Sequence, residues 1–172
     1  MQFALAQARP TTISLNVQGE ARPRSDAVLA SQVAGRIVWV SPVFAQGGAF
    51  GQGDALIRVD DADYRLAVVR ARSQVAQADE ALAREEAEGE LARQDWAVLG
   101  QGDPSPLAAR EPQMAQARAV VAAARAQLQS AELDLARATV RAPFPGRVRA
   151  RRANIGDYVG PARRWLKCSR PT

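Results

Sequence analysis

The sequence contains no histidine, a single cysteine (Cys168) and, among its 23 basic residues, a single lysine (Lys167). A zinc site, a disulfide framework, a Cys/His nucleophile pair and a Ser/His/Asp triad are therefore beyond this chain's own residues. No stretch reaches the roughly 20 apolar residues that span a bilayer. Met1-Gln-Phe-Ala-Leu-Ala-Gln-Ala8 is short and has no basic residue ahead of its apolar run, so the sequence predicts neither an export signal nor an anchor. Most catalytic chemistry is excluded, and neither a metal nor a cofactor is expected.

Charge is present but uneven. The net charge is +5; ten basic residues face Asp157 alone between Arg137 and Thr172, whereas 61–99 carries nine acidic against five basic residues. Contact with phosphate or anionic lipid is one reading of the basic end. An arginine-rich, solvated strand face is the other. The absence of interleaved aromatics favours the latter and argues against a nucleic-acid partner.

Two short stretches read as copies of one another. Val33-Ala-Gly-Arg-Ile-Val-Trp-Val40 continues through Gly47-Gly-Ala-Phe-Gly-Gln-Gly-Asp54, and Phe144-Pro-Gly-Arg-Val-Arg149 continues through Ile155-Gly-Asp-Tyr-Val-Gly160. Gly35 matches Gly146, Arg36 matches Arg147 and Ile37 matches Val148; after a slip of two residues Gly47 matches Gly156 and Phe50 matches Val159. Such copies predict two halves of one small β-domain, with Gly35, Gly146 and Gly156 at its turns. An alternating run at Thr12–Val17 predicts a further strand, and another run follows at 27–33.

The residues between the halves read as helix. Asp60 and Asp63 suit a helix start, accepting orphan N–H groups and meeting the positive dipole end. A metal site at Asp60, Asp61 and Asp63 is disfavoured, because no further oxygen ligands follow at calcium-loop spacing. One heptad places Val68, Val75, Leu82, Gly89 and Trp96 against Ala71, Ala78, Glu85, Ala92 and Leu99, fraying at Glu85 and Gly89. A second places Met114, Val121, Leu128 and Leu135 against Ala117, Ala124, Ala131 and Ala138. The short Gly/Pro link at 100–106 returns the chain antiparallel, and alanine at alternate core positions lets the axes approach closely. The expected organisation is an N-terminal strand segment (1–26), a first half (27–60), a helical hairpin (61–139, tip about 97–112), an incomplete second half (140–161) and an atypical tail (162–172).

The expected tip holds Trp96, Leu99, Pro104, Ser105, Leu107 and Arg110. Exposed aromatic, Leu and Arg residues at a distal end fit partner contact, and closing the hairpin's own core fits Trp96 and Leu99 equally well.

Half-repeat, coiled hairpin and a Thr-Val-Arg-Ala-Pro-Phe-x-Gly-Arg-Val return together resemble the periplasmic adaptor subunits, or membrane fusion proteins, of tripartite RND-type efflux pumps. Val33-Ala-Gly-Arg-Ile-Val, Gly53-Asp54 leading to Val59-Asp60, Pro104-Ser-Pro-Leu107, Leu133-Asp-Leu-Ala-Arg137 and Ala142-Pro-Phe-Pro-Gly-Arg147 carry the likeness. The resemblance implies an α+β fold, a long antiparallel coiled-coil hairpin inserted between two halves of a small lipoyl/biotinyl-like β-sandwich. It also implies a non-enzymatic role in the periplasm, associated with the inner membrane. The implied partners are an inner-membrane RND-type transporter, an outer-membrane channel and further copies forming a ring. Three departures stand out. Both ends read as cut, the tail after Pro161 resembles neither a strand nor the family, and the family's tip pattern counted from Arg93 meets Ala97 and Pro104. A missing last strand would leave an unpaired edge and a marginal sandwich. The alternatives are a lipoyl or biotinyl carrier, for which Lys167 is the sole lysine, and a cytosolic coiled-coil scaffold.

Overall fold

The computed structural model describes residues 2–5, 12–18, 26–99, 102–161 and 164–169, with the backbone alone at 26, 27, 99, 164–167 and 169. Eight strands and two helices follow in the order β1 (Asp26–Ala30), β2 (Gly35–Val40), β3 (Ala49–Phe50), β4 (Ala55–Val59), α1 (Ala62–Leu99), α2 (Glu111–Arg137), β5 (Thr139–Arg141), β6 (Gly146–Arg151), β7 (Tyr158–Val159) and β8 (Arg164–Ser169). The strands form two four-stranded sheets, β1-β8-β6-β3 and β5-β4-β2-β7. Between them lies a core that includes Ile37, Phe44, Leu56, Ile57, Val148 and Cys168, each at most 2% exposed.

The sequence copies have become a two-fold pattern of pairing. Gly35 pairs with Val159 and Arg36 with Tyr158, while Gly146 pairs with Phe50 and Arg147 with Ala49. Backbone bonds repeat the exchange: Ile37 N–H donates to Asp157 O (2.8 Å) and Val148 N–H to Gly48 O (2.9 Å), while Ile37 O accepts from Gly156 and Val148 O from Gly47 (both 2.8 Å). Each half thus supplies the short strand that the other half lacks, so neither buries its apolar face alone. Gly35 and Gly146 open strands β2 and β6, and Gly156 takes a turn at φ 95°.

The tail corrects two expectations. Residues 164–169 form strand β8, which lies between β1 and β6; the second half is complete and the expected bare edge there is occupied. Continued without further slip, the half-repeat alignment places Ala55–Val59 on 164–168, and the pairings agree. Ile37 faces Val59 as Val148 faces Cys168, Trp39 faces Arg58 as Ala150 faces Lys167, and Val40 faces Ile57 as Arg151 faces Leu166. The register steps at Val38 in β2 and at the matching Arg149 in β6, then at Leu56 in β4 and at the matching Trp165 in β8. At the other end, the described residues 12–18 have no regular structure, and Ile13, Leu15 and Val17 are exposed. Among the described residues no strand pairs with this run, and the outer neighbour of β8 is Asp26–Ala30.

Helix α1 has 38 residues, about 57 Å at 1.5 Å per residue. The Asp60 carboxylate accepts the Ala62 N–H (3.2 Å) and Asp61 pairs with Arg65 (2.8 Å), which fixes the start. Two bonds tie the hairpin to the sheets: Tyr64 OH donates to Ala34 O (2.7 Å) and Val59 N–H to Ala138 O (2.8 Å). Burial pushes the Tyr64 phenol above its ordinary pKa, against the opposing effect of that hydrogen bond to Ala34. Along the seam Ala71 and Ala78 of α1 and Ala131 of α2 are buried with Val68, Met114 and Val121, while Val75, Leu82, Leu128 and Leu135 are half-buried. Met114→Ala is therefore expected to cost about 2–4 kcal/mol and Leu128→Ala about 1–2 kcal/mol, read by urea denaturation of the full chain. Equal costs would mean that the seam is misassigned.

Candidate functional site

The far end of the hairpin owes its shape to a mismatch between the arms. Helix α1 runs to Leu99, but α2 begins at Glu111, beside the level of Glu85 and Glu88. The returning chain packs on Gly89, where an added Cβ would lie 3.2 Å from Ala109 O and 3.3 Å from Met114 Sδ. The heptad frays at Glu85 and Gly89 because the return segment enters the seam there and requires a small residue at position 89.

Arg110 closes this junction. Its guanidinium donates to Glu85 (2.7 Å) and lies 2.7 Å from a Glu88 carboxylate oxygen. The hydrogen bond to Glu85, opposed in part by desolvation, raises its pKa. Its backbone is left-handed, φ 57° and ψ 25°, at the N-cap of α2, where no side chain caps the helix. L-residues adopt that conformation at a cost that glycine escapes. Arg110→Gly should consequently melt above Arg110→Ala in a thermal scan, with both below the parent chain. An alanine variant as stable as the parent would remove the carboxylate clamp from this account.

Beyond Arg110 the chain makes a compact turn. Ser105 O accepts from Ala109 N–H (2.9 Å), Ser105 Oγ accepts from Ala108 N–H (3.2 Å) and Pro106 O accepts from Glu111 N–H (2.9 Å). The residues expected at the tip separate accordingly. Leu107 is 68% exposed and Ser105 is exposed, Pro104 is half-buried, and Arg110 is committed to α1. Trp96 is half-buried with its indole N–H enclosed and without a hydrogen-bond partner. The Leu99 side chain lies outside the described residues. Val98, 87% exposed, and Leu91, 58% exposed, add apolar surface. Leu91 falls outside both core positions of the heptad, so the pattern gives no signal for it.

Other candidate chemistry is limited. Among the described residues no group of three or more His, Cys, Asp or Glu side chains is placed to hold a metal ion. Lys167 lies within β8, paired with Val28 on one side and Ala150 on the other, rather than on the projecting turn that a carrier lysine would occupy. Among the described residues no helix is long and apolar enough to cross a membrane.

A split, two-fold β-domain carrying a long hairpin between β4 and β5 is shared with known structures. A MacA–MexA chimera containing the Pseudomonas aeruginosa MexA α-hairpin domain matches 86% of this chain and 48% of its own, with a TM-score of 0.64 at 20% identity. The periplasmic adaptor protein EmrA matches 87% of this chain and 73% of its own, with a TM-score of 0.55 at 14% identity. The chain has the architecture of a periplasmic adaptor, or membrane fusion protein. Curated proteins are similar in sequence as well. Multidrug resistance protein MdtA of Yersinia enterocolitica is 26% identical over 160 residues, covering 92% of this chain and 35% of MdtA. The uncharacterized protein YdhJ of Escherichia coli K12 is 31% identical over 134 residues, covering 76% of this chain and 45% of YdhJ. The chain thus spans about a third to a half of the length of these curated relatives. No family model matches it.

Proposed function

We propose that this chain supplies the hairpin and β-domain of a non-enzymatic adaptor in drug or solute efflux. In this reading the adaptor lies in the periplasm at the inner membrane, and several copies form a ring linking an RND-type inner-membrane transporter to an outer-membrane channel. The observation that carries the reading is the rod itself. Its first arm is about 57 Å long, contributes little to the β-domain core and ends at exposed Val98, and the turn that follows exposes Leu107. Such a rod positions one contact surface far from another, which suits coupling rather than catalysis.

The test is a graft. Residues 26–169 replace the matching segment of MdtA, and drug tolerance is measured in a strain lacking MdtA. The graft is expected to restore tolerance, and the same graft carrying Val98→Asp and Leu107→Asp to fail while accumulating to the same level. Loss of tolerance with the unmodified, folded and exported graft would count against the adaptor role. Full activity of the doubly substituted graft would leave the adaptor role standing and move the contact elsewhere.

A further inference from the structure

A cleft of about 380 Å³ opens where the rod leaves the β-domain, a volume within the range that holds a small molecule. Its floor is the outward face of the sheet β5-β4-β2-β7. Trp39 faces Arg58 and Arg58 faces Thr139 across neighbouring strands, with Val38, 50% exposed, at the register step beside them. Arg141 of β5 and, at the start of α1, Asp60, Asp61 and Arg65 also line it. The two-fold pattern shows what the sheet itself requires at this place. The matching row, in the same register, is Ala150, Lys167 and Val28, so a methyl group suffices where Trp39 stands and the indole is not a demand of strand pairing.

We propose that this cleft binds a small carboxylic acid as its monoanion, with the carboxylate on Arg58 and a planar apolar body against Trp39 and Val38. The site goes beyond the adaptor reading and needs neither a ring nor a transporter. Three guanidiniums and two carboxylates leave the cleft with one positive charge in excess. Both carboxylates are engaged: Asp61 pairs with Arg65 (2.8 Å) and Asp60 accepts the Ala62 N–H (3.2 Å). Arg141 donates to Gly53 O (3.0 Å), a neutral acceptor that leaves its charge uncompensated. Arg58 lies over the Trp39 ring, 4.9 Å from its centroid, and has no carboxylate partner among the described residues. The ring steadies the guanidinium but supplies no lone pair, so the N–H fork that matches a carboxylate in two places stays open. The Thr139 hydroxyl, on the facing residue of β5, adds a further donor. Asp60 and Asp61 on the helix side set the preferred charge: a single negative charge meets the excess cation, whereas a dianion also meets repulsion.

The test follows the three indole N–H signals of the full chain by NMR at neutral pH, with Trp39→Phe identifying the Trp39 signal. Naphthoate is the probe; naphthamide keeps the body without the charge, and acetate keeps the charge without the body. Naphthoate is expected to move the Trp39 signal saturably and leave that of Trp96 in place, with both analogues at least about ten-fold weaker. Arg58→Gln, at an exposed position, should weaken naphthoate about ten-fold and leave naphthamide unchanged, a split that a local rearrangement would not produce. Measured by calorimetry, Trp39→Ala, which copies Ala150 of the matching row, should bind naphthoate no more tightly than acetate. Equal affinity for naphthoate and naphthamide would reduce the site to apolar adsorption and overturn the proposal. So would an Arg58→Gln variant that binds naphthoate as the parent does, a Trp39→Ala variant that keeps full naphthoate affinity, or a Trp39 signal that never saturates.

Discussion

Removal of residues 162–172 is expected to unfold the β-domain. Strand β8 is the inner strand that joins β1 to β6, and its Cys168 is fully enclosed in the core. Without it β1 loses its sheet partner, and Val148, across from Cys168, loses its cover. The loss should exceed about 5 kcal/mol, the lower end of what holds an ordinary domain together. The hairpin has its own seam and should lose less. Hydrogen exchange resolves the two, with β-strand amides expected to lose protection throughout while amides near Val75 and Val121 keep part of theirs. A truncated chain melting cooperatively at the parent temperature would show β8 to be dispensable.

The second large effect is expected at Gly35. Its φ of 155° is one that side chains rarely adopt, and an added Cβ would lie 2.3 Å from Val59 Cγ1, well inside contact distance. Gly35→Ala is expected to cost about 2–5 kcal/mol from overpacking and backbone strain together. Gly47, with φ 82° but nothing within 4 Å of its added Cβ, serves as the control and should cost only about 1 kcal/mol when changed to Ala. Combining Gly35→Ala with Val59→Ala removes the obstructing methyl groups. Urea denaturation should therefore show the double variant losing less than the two single losses added together. Strict additivity would mean that the clash is relieved by movement elsewhere.

Much of this arrangement was legible because glycine is hard to replace where strands start or turn. Gly35, Gly146, Gly47 and Gly156 aligned the halves, and the same alignment, carried further, holds the answer to the tail. Charge obscured it. In β4, Arg58 is a single exposed cation among apolar residues, and it reads as the outward position of a strand. In β8, Arg164 and Lys167 beside Pro161 and Arg163 gave the segment the appearance of a polar tail, although its register matches β4 residue for residue. Thr12–Val17 shows the converse: alternation marks a segment able to pair, but a strand needs a neighbour. At the tip, apolar composition identified the region, while the Arg110 clamp depended on the axial offset between two helices. The misplaced Glu85 in the seam was its one sequence signal.

The two-fold pattern maps the base of the hairpin onto the strand pair at which the chain enters and leaves the β-domain. Arg58 faces Thr139 as Lys167 faces Val28, and two residues further along β8 Ser169 faces Asp26. Facing residues in antiparallel strands lie about 5 Å apart, a gap that a two-residue turn closes. The polypeptide can therefore be circularly permuted. A chain opened at the tip, running down α2 through β5–β8, across a new Asn-Gly link to β1, and up through β2–β4 into α1, would retain every strand pairing described above. The rod would then carry the free ends, and the former ends would become a tight turn. The β-domain is in this sense a joint with two equivalent sockets, and which socket holds the long arm is a matter of where the chain is cut.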